Sequence, residues 1–380
     1  MHTPSTFDLA ICGAGPVGMA LAALLVQRGS RAAGIALLDA KSIEQARRDP
    51  RTIALSHGSR QILEEAGAWP VEATPIHQIH VSRRGQFGRS LMDRSEHGVE
   101  ALGYVARYGA VVSALADVCE RLGVASLRPA LVTGSVEDAD SVSVQLEQDG
   151  AASSLRAGLL VQAEGGLFGQ QQERAVSRDY GQSAIIAHVR TNAPIAHRAY
   201  ERFTDEGPLA LLPQDDGYAL VWCVPPTRAE QLLALDDATF LARLGAAFGS
   251  RLGRFTHTTS RLAYPLGLNA QGGGTPRTVA IGNAAQTLHP VAGQGLNLGL
   301  RDAAVLARVL AQDSSPAGLE RYASLRQADR GLTVRVTDTM ARIFTGSAPT
   351  QGLLGLSLGL LDAFSPARKS LAELMMYGRR

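Results

Sequence analysis

A glycine-rich turn near the first residue constrains the fold of this chain more than any other feature. Gly13, Gly15 and Gly18 form the pattern G-x-G-x-x-G. The apolar run at residues 8–15 (DLAICGAG) is typical of a buried parallel strand, and residues 16–29 (PVGMALAALLVQRG) have the apolar spacing of an α-helix. The glycines therefore lie between a strand and the start of a helix, which is the context that gives this pattern its meaning.

A second apolar run, residues 34–40 (GIALLDA), completes a β-α-β unit and requires a parallel sheet with a covering helix. The three glycines permit a tight turn, close approach of a pyrophosphate and close packing of helix on strand. The pyrophosphate then binds at the helix N-terminus. Asp39 ends the second strand, where a carboxylate binds the adenosine ribose. The unit predicts dinucleotide binding, leaves FAD and NAD equally open, and disfavours a 2′-phosphorylated nucleotide.

The remaining sequence changes its periodicity twice. Residues 56–69 and 110–123 have helical spacing. Residues 124–163 and 180–265 are instead rich in the period-two alternation of strands, and helical patterns return after Gly293. This order predicts an α/β protein in which a nucleotide-binding domain is assembled from separate segments around an inserted sheet-rich domain.

We expect three units along the chain. The dinucleotide-binding domain is assigned residues 1–70, 98–178 and 266–345, and the sheet-rich domain residues 71–97 and 179–265. The remaining residues, 346–380, are expected to form a C-terminal helical segment.

Composition excludes several classes of partner. The 380 residues carry a net charge of +2, so nothing indicates nucleic acid or another polyanion. The three cysteines are widely spaced and form neither a C-x-x-C pair nor a disulfide framework, which fits a reducing cytoplasm. The histidines show no metal-ligand spacing with acids or cysteines, so we expect no metal.

The sequence contains no signal-peptide pattern and no apolar run of the roughly 20 residues that a membrane-spanning helix needs. Residues 351–370 (QGLLGLSLGLLDAFSPARKS) are leucine-rich and then basic. We interpret them as a helix packed on the body of a cytoplasmic protein. The alternative is peripheral contact with the inner membrane, with Arg368 and Lys369 near lipid headgroups.

A second glycine-rich segment, residues 280–304 (AIGNAAQTLHPVAGQGLNLGLRDAA), follows the same logic as the first. A strand is predicted to end at Gly282-Asn283, and a helix is predicted to begin at Asn297-Leu298-Gly299. An NAD enzyme needs only one phosphate site, whereas FAD requires a second contact zone for its ribityl chain and flavin ring. Backbone N–H groups near the flavin N1–C2=O edge would stabilise the reduced ring.

Five segments together resemble one known family, the FAD-dependent aromatic hydroxylases of ubiquinone biosynthesis. They are GAGPVG, DPRTIALSHGSRQILEEAGAW, YERFTDEGPLALLP, LVWCVPP and IGNAAQTLHPVAGQGLNLGLRD. The resemblance spans about residues 8–365. It implies a para-hydroxybenzoate-hydroxylase-like fold, in which a Rossmann-type FAD-binding domain carries an inserted β-sheet substrate domain.

The resemblance also implies the reaction. NAD(P)H reduces FAD, O2 adds to the reduced flavin to give a hydroperoxide, and its terminal oxygen is transferred to a prenylated phenol, 2-polyprenyl-6-methoxyphenol. Other ubiquinone-biosynthesis proteins are the implied partners. Three alternatives stay open: hydroxylation at another ring position, an FAD-dependent reductase of prenyl chains, and a non-catalytic FAD-binding subunit of a biosynthetic complex.

The implied FAD contacts include an arginine at the phosphates, Arg51, and one near the flavin, Arg107. Gly282-Asn283 stands where the family has Gly-Asp at the ribityl chain. The full set of expected FAD contacts is Gly13, Gly15, Gly18, Asp39, Arg51, Arg107, Glu164, Gly282, Asn283, Pro290, Gly293, Gln294, Gly295, Leu296 and Asn297.

Two positions carry open questions. Glu164-Gly165 replaces the family's Asp-Gly, and a later arginine of that motif is replaced by glutamine, which puts the coupling to NAD(P)H in question. His289 is the candidate catalytic residue because histidine titrates near neutrality. Its alternative role is structural, since the residue before Pro290 is held extended beside the flavin.

Overall fold

The computed structural model describes residues 5–85, 89–164, 176–270, 274–287 and 294–326, together with residues 369, 372, 373, 376 and 377. The helices with described bounds are α1 (Pro16–Gln27), α2 (Ile43–Arg47), α3 (His57–Glu65), α4 (Tyr108–Arg121), α5 (Pro226–Leu233), α6 (Asp237–Phe248) and α7 (Gln294–Leu310). Residues 316–326 are also helical.

The described strands follow in chain order. They are β1 (Ser5–Cys12), β2 (Ile35–Leu38), β3 (Thr52–Ser56), β4 (Ala73–Ile76), β5 (Gln78–Arg83), β6 (Arg89–Asp93), β7 (Gly103–Arg107), β8 (Ala125–Leu127), β9 (Leu131–Glu137), β10 (Val142–Gln148), β11 (Ala151–Gln162), β12 (Val176–Thr191), β13 (Arg198–Phe203), β14 (Pro208–Gln214), β15 (Gly217–Val224), β16 (Phe255–Thr258), β17 (Leu262–Ala270), β18 (Thr278–Ala280) and β19 (Gln286–Thr287).

The first sheet contains the predicted β-α-β unit. Its described strands run in the order β8-β2-β1-β11-β10-β9, and β18 pairs with β11. The pairs among β8, β2, β1, β11 and β18 are parallel, whereas β10 is antiparallel to both of its neighbours. A parallel core with α1 crossing from β1 to β2 is the arrangement of a Rossmann-type domain.

Helix α1 is buried because it is covered on two sides. The sheet lies on one side, and α4 and α7 pack on the other. Every residue from Met19 to Leu25 is therefore inaccessible to solvent, which explains why this helix carries no charged residue before its last turn. On β1 the side chains alternate, with Leu9 and Ile11 in the core beneath α1 and Ala10 in the core of the opposite face.

The second sheet has nine described strands. Their order is β19-β17-β12-β15-β14-β13-β5-β6, and β16 pairs with β12. One face is covered by α5 and α6 over a core that includes Tyr218, Trp222 and Phe240. The two helices lie within the stretch 180–265, for which the sequence indicated only strands. They form there because Ala229, Leu232 and Leu244 recur at helical spacing and bury against the sheet.

A small third sheet, β3-β7-β4, joins the two larger ones. Ile76 of β4 and Val105 of β7 pack against Ala199 of β13. Three strands therefore pair or extend across the domain boundaries that were predicted from the sequence. β4 pairs with β7 of the predicted first domain, and β12 and β17 extend past residues 178 and 266, since strand pairing rather than composition sets their length. The division into domains stays a prediction.

The second glycine-rich helix begins earlier than predicted. Helix α7 starts at Gln294, three residues before the expected start at Asn297. Gly295 disfavours helix in isolation, but Leu296 packs on the main core and Leu298 is buried, so tertiary packing extends the helix.

The described residues near the C-terminus, 369, 372, 373, 376 and 377, are helical, and the extent of the C-terminal helical segment stays a prediction. Ala372 and Met376 are buried against Met92 and Leu102, whereas Lys369 is exposed. The leucine-rich residues 351–368 lie outside the described part of the chain. Within that part, no helix is long and apolar enough to cross a membrane.

Candidate active site

The first glycine turn is shaped so that backbone can approach a ligand. Gly13 has a φ of +106°. A Cβ atom at Gly13 would lie 2.6 Å from the carbonyl carbon of Ala163, and one at Gly18 would lie 2.0 Å from the carbonyl oxygen of Gly13. Gly15 occupies the N-cap of α1 and has no side chain with which to cap it. The N–H groups of the first turn thus remain available to an anion.

Asp39 lies directly after β2 and connects the glycine turn to the next loop. Its Oδ2 atom accepts a hydrogen bond from the N–H of Ala14 at 2.9 Å, and its Oδ1 atom accepts one from the N–H of Lys41 at 2.8 Å. Each carboxylate oxygen has a second lone pair. Asp39 is therefore held beside the turn in a position from which it could also accept from a ribose hydroxyl.

Arg128 belongs to the same region, and sequence reasoning missed it. Its guanidinium group donates to the carbonyl oxygens of Lys41 at 3.0 Å, Ser42 at 3.3 Å and Ala14 at 3.4 Å. Arg128 follows β8, the strand that pairs in parallel with β2. A basic residue at the carboxyl end of a parallel strand is the signal that could have identified it, because ligands bind at that edge of such sheets.

Glu164 follows β11 on the other side of the glycine turn. Its N–H nitrogen would lie 2.7 Å from a Cβ atom at Gly13. Burial and the negative charge of Asp39 raise the pKa of the Glu164 carboxyl. Both predicted acids, Asp39 and Glu164, therefore lie at the same turn. A ligand that binds at this turn would lie beside two carboxyl groups whose negative charges repel each other.

Arg51 lies near the N-terminus of α1, and its predicted contact with the FAD phosphates stays a prediction. Its guanidinium group stacks 4.5 Å from the ring centroid of Tyr108 and pairs with Asp49 at 2.8 Å. The hydroxyl oxygen of Tyr108 lies 3.1 Å from the position of a Cβ atom at Gly15. Tyr108 was not among the predicted residues. It orients Arg51 beside the glycine turn.

Arg107 is the N-cap residue of α4 and lies at the surface. Its Nη2 atom pairs with Oδ2 of Asp215 at 2.7 Å, and both side chains are about half exposed. The pair connects the third sheet to the turn between β14 and β15. The charge of Arg107 is therefore matched by a neighbouring carboxylate, and its predicted contact with the flavin stays a prediction.

The two glycine-rich segments meet at α1. Gly282 has a φ of +60°, and a Cβ atom there would lie 3.4 Å from the side chain of Val17 and 3.5 Å from Cα of Gly299. A Cβ atom at Gly299 would lie 2.7 Å from the Val17 side chain. These contacts require small residues on α7. They place the segment beginning at Gly282 beside the first turn of α1.

An ion pair that was not predicted fixes this second turn. The N–H of Gly282 donates to Oδ2 of Asp302 at 3.0 Å, and Oδ1 of Asp302 accepts from Nε of Arg326 at 2.7 Å. Both charged side chains are almost completely buried. The Oδ1 atom of Asn283 lies 3.6 Å from the position of a Cβ atom at Gly295, so this amide faces the first turn of α7.

The side-chain amide of Asn297 forms hydrogen bonds with the protein backbone. Its Oδ1 atom accepts from the N–H of Ser56 at 2.8 Å, and its Nδ2 atom donates to the carbonyl oxygen of Ala54 at 3.0 Å. The buried amide thus binds the backbone of β3 and fastens α7 to it. Gln294 is the first residue of α7, and Leu296 packs on the core. His289, Pro290 and Gly293 lie outside the described residues.

An apolar cavity of about 70 Å³ lies between α7, the third sheet and the edge of the second sheet. Asn297 and Ser56 supply polar groups at one part of its wall. The other lining side chains are mostly apolar, and they include Ile79, Met92 and Met376.

The cysteines of the described residues suggest no reactive thiol and no metal centre. No group of three or more His, Cys, Asp or Glu residues is arranged there to hold a metal ion. Cys12, Cys119 and Cys223 are buried and free. Burial raises the pKa of the Cys12 and Cys119 thiols to about 12, so neither forms a thiolate near neutral pH.

Comparison with known proteins identifies the class of this site. A family model described as an FAD binding domain matches residues 6–335. The chain is 32% identical to the ubiquinone hydroxylase UbiL of Rhodospirillum rubrum, over 95% of this chain and 87% of that protein. It is 30% identical to the 3-demethoxyubiquinol 3-hydroxylase of Escherichia coli, over 94% of both chains.

A solved structure shows the same fold. The p-nitrophenol 4-monooxygenase PnpA of Pseudomonas putida matches 99% of this chain and 100% of its own, with a TM-score of 0.78 and 18% identity. The predicted para-hydroxybenzoate-hydroxylase-like architecture is thereby confirmed.

Fold and site together define an FAD-dependent aromatic monooxygenase that uses NAD(P)H and O2. The chain belongs to the FAD-dependent hydroxylase family of ubiquinone biosynthesis. The uncapped N-terminus of α1, Asp39, and the glycines of the second segment fit a dinucleotide as long as FAD, because the two glycine-rich segments lie side by side at the first turn of α1.

Proposed function

We propose that this enzyme hydroxylates a polyprenylated phenol, 2-polyprenyl-6-methoxyphenol, to the corresponding 1,4-benzoquinol in ubiquinone biosynthesis. The observation that carries this proposal is the apolar cavity beside α7. It extends from Asn297, three residues beyond the start of that helix, to Met92 and Met376. At about 70 Å³ its apolar lining accommodates a short part of an alkyl chain, where burial of each CH₂ group contributes about 0.8 kcal/mol.

The residues around the two glycine segments would divide the binding of FAD between them. The N-terminus of α1 would receive the pyrophosphate, Asp39 the adenosine ribose, and Arg51 a phosphate oxygen. Gly282 and Asn283 would contact the ribityl chain. The N-terminus of α7 would face the flavin, where its positive end stabilises negative charge.

The bound cofactor supplies the redox chemistry, accepting a hydride from NAD(P)H and delivering one oxygen atom of O2 to the phenol ring. The chain's own contribution is to position the ring and exclude water. Ile76, Val105 and Ala199 close the space between the second and third sheets with apolar contacts. A dry site limits loss of the activated oxygen to solvent.

A second candidate is hydroxylation at another ring position. It is favoured by the relative from Escherichia coli, a 3-demethoxyubiquinol 3-hydroxylase that is 30% identical to this chain. Two further candidates are a prenyl-chain reductase and a non-catalytic FAD-binding subunit. The replacement of Asp-Gly by Glu164-Gly165 favours the second of these.

One experiment separates these functions. The purified protein is loaded with FAD and given NAD(P)H, O2 and a short-chain 2-prenyl-6-methoxyphenol, and products are identified by mass spectrometry and NMR. We expect one oxygen atom to be incorporated para to the hydroxyl group. Incorporation elsewhere supports the second candidate, a saturated prenyl chain supports the reductase, and flavin binding without any product supports the binding subunit.

A matched pair of glycine variants tests the FAD site. Gly13→Ala places a Cβ atom 2.6 Å from backbone and should abolish flavin binding. Gly29→Ala is the control, because Gly29 also has a positive φ but meets nothing within 4 Å. Flavin absorbance after gel filtration is the measurement. Equal flavin content in both variants would contradict the assignment of the α1 turn.

We further propose that the enzyme is cytoplasmic and contacts the inner membrane peripherally, where a polyprenylated substrate resides. Supporting this are the leucine-rich and then basic composition of residues 351–370 and the exposed Lys369. Flotation with anionic lipid vesicles should recover the full chain, and a variant with Arg368 and Lys369 changed to Gln should float less. Equal recovery of both proteins would contradict the contact.

A further inference from the structure

Glu201 lies on the face of the second sheet that is turned away from α5 and α6. Strand β13 alternates its side chains between the two faces. Tyr200 belongs to the core beneath the helices, and Ala199 packs against Ile76 and Val105 of the third sheet. Glu201, two residues beyond Ala199, therefore faces the side where the two sheets approach each other.

The neighbours of Glu201 in the sheet are apolar. Its Cα pairs with that of Ala210 on β14 and with that of Val81 on β5. Beyond Ala210 the same row continues to Val221 on β15 and Ile186 on β12. Directly paired residues on one face have Cβ atoms about 5 Å apart, so Ala210 and Val81 flank Glu201 and the row beyond Ala210 continues with apolar side chains.

The carboxyl group of Glu201 is unpaired within the described part of the chain. Among the described residues, none donates a hydrogen bond to it, and burial is the cause that raises the pKa of Glu201 to about 7. The side chain nevertheless retains some accessible surface. A small molecule lying on this face could therefore reach it.

Charged and titratable groups on the surrounding strands do not neutralise Glu201. Arg83, further along β5, pairs with Asp205 at 2.9 Å. His188 on β12 bonds to the carbonyl oxygen of Gln214 at 3.2 Å. Burial and the negative charge of Glu201 raise the pKa of the Cys223 thiol on β15, which places that thiol near the carboxylate but leaves it neutral.

A purely structural role does not explain why a glutamate occupies position 201. A buried carboxylate that supports a fold is usually paired or hydrogen-bonded, because desolvation of an isolated charge is costly. Leucine or glutamine would fill the same space at lower cost. Buried acids with a strongly raised pKa in a cleft are found at functional sites more often than elsewhere.

We propose that Glu201 is a catalytic residue that accepts the proton of the substrate's phenolic hydroxyl group. The inference rests on the proposed function, since it assigns a role in phenol hydroxylation. The O–H bond of the phenol breaks, a new O–H bond forms on the carboxylate, and the negative charge moves from Glu201 to the phenolic oxygen. No electron is transferred in this step, and the proton later leaves to solvent.

Proton removal is what an aromatic hydroxylation requires from the protein. A phenolate donates more electron density to its ring than a neutral phenol, so the ring attacks an electrophilic oxygen more readily. A free phenol ionises near pH 10, as a tyrosine does. A general base whose pKa is close to the working pH contributes roughly 10²–10⁴-fold to such a step.

The test compares Glu201→Gln with a matched control, Glu206→Gln. Both remove one carboxylate from neighbouring positions, but Glu206 lies at the surface in an ion pair with Arg228. In both proteins bound flavin is quantified first, which checks folding. The hydroxylation rate is then measured from pH 6 to 10, and the ultraviolet difference spectrum of the bound phenol reports its ionisation.

We expect the wild-type rate to rise with an apparent pKa of about 7, and Glu206→Gln to match it. Glu201→Gln should bind flavin normally and lose about 10²-fold or more of the rate at pH 7. Its rate should recover towards pH 10, as the phenol ionises by itself. Because a carboxyl group with a pKa of about 7 is a much weaker base than a phenolate, proton transfer is transient. The bound phenol should therefore be protonated near neutral pH in both proteins, and the rate should carry the difference between them.

A second variant, Glu201→Asp, keeps the carboxylate and should retain part of the activity with the wild-type shape of the pH profile. A Glu201→Gln enzyme that hydroxylates with the wild-type rate and pH profile would overturn the inference while leaving the proposed function intact. If the wild type itself binds flavin but hydroxylates no phenol, the proposed function fails instead.

Discussion

Two buried carboxylates, Asp302 and Glu201, show how differently the same chemical group is used in this molecule. Asp302 is completely buried and accepts hydrogen bonds from Nε of Arg326 and from the N–H of Gly282. Glu201 faces alkyl side chains and receives no hydrogen bond from a described residue. Satisfied polar groups stabilise a fold, whereas an unsatisfied one costs stability and remains available for chemistry.

The location of each acid agrees with this difference. Asp302 lies on α7 and fixes the turn that carries the proposed ribityl contacts, so it acts on the cofactor site through backbone. Glu201 lies on β13, on the face of the second sheet where we propose that the phenol binds.

The largest expected effect on stability comes from breaking the hydrogen-bonded ion pair of Asp302. Asp302→Asn removes the carboxylate that pairs with the buried guanidinium group of Arg326 and weakens the turn at Gly282. We expect a loss of about 3–5 kcal/mol in the free energy of unfolding. Denaturant unfolding measures it, with the exposed Asp216→Asn as control. A loss below about 1 kcal/mol, the range of surface pairs, would mean that the pair is not a structural centre.

Glu201→Gln should change stability in the opposite direction. The pKa of Glu201 lies at about 7, above its ordinary value of 4.5. The wild type therefore has its full stability below pH 4.5 and loses part of it as the pH rises to 7, where the buried carboxyl ionises. Because glutamine does not titrate, the variant should exceed the wild type by about 1–3 kcal/mol at pH 8.

Unfolding midpoints of both proteins at pH 4 and pH 8 provide the measurement. The difference between them should grow with pH, whereas Glu206→Gln should follow the wild type at both values. A constant difference across this range would show that Glu201 is not destabilised by its charge, and the contrast with Asp302 would disappear.

The smallest effect is expected at the surface. Asp215→Asn breaks the exposed pair with Arg107 and should cost at most about 1 kcal/mol, with the difference shrinking at high salt. Arg107→Ala breaks the same pair and also removes the predicted flavin contact. Weaker FAD binding in Arg107→Ala alone, measured by fluorescence titration, would support that contact. Equal FAD affinity in both variants would restrict Arg107 to the ion pair.

Local rules account for what could be predicted. The strand, glycine turn and helix around Gly13 depend on steric properties of glycine and on apolar spacing, and both are visible in a short stretch of sequence. The same holds for Asp39, which is placed at the end of a strand by its position in the β-α-β unit. Long matching segments then indicated the family, which the comparisons confirm.

Other features depend on which distant segments meet. The start of α7 at Gln294 follows from the burial of Leu298, and the helices α5 and α6 follow from burial against a sheet that no local pattern reveals. Arg128 and Tyr108 join the site because their strand and helix are brought beside the glycine turn. The clamp of Asn297 on β3 joins residues that are 241 positions apart.

The sequence by itself determined the β-α-β unit that indicates dinucleotide binding, and it predicted that a second glycine-rich segment completes the site. Backbone sterics and helix periodicity act over neighbouring residues, so a short stretch of sequence is enough to recognise them. Only the tertiary structure decided that the carboxylate of Asp302 is hydrogen-bonded and that the carboxyl group of Glu201 receives no hydrogen bond from a described residue. Asp302 obtains its partners from Gly282 and Arg326, and Glu201 obtains its apolar surroundings from adjacent strands. The desolvation of a side chain depends on all the segments that pack around it in the folded protein, so it cannot be recognised in one segment of the sequence.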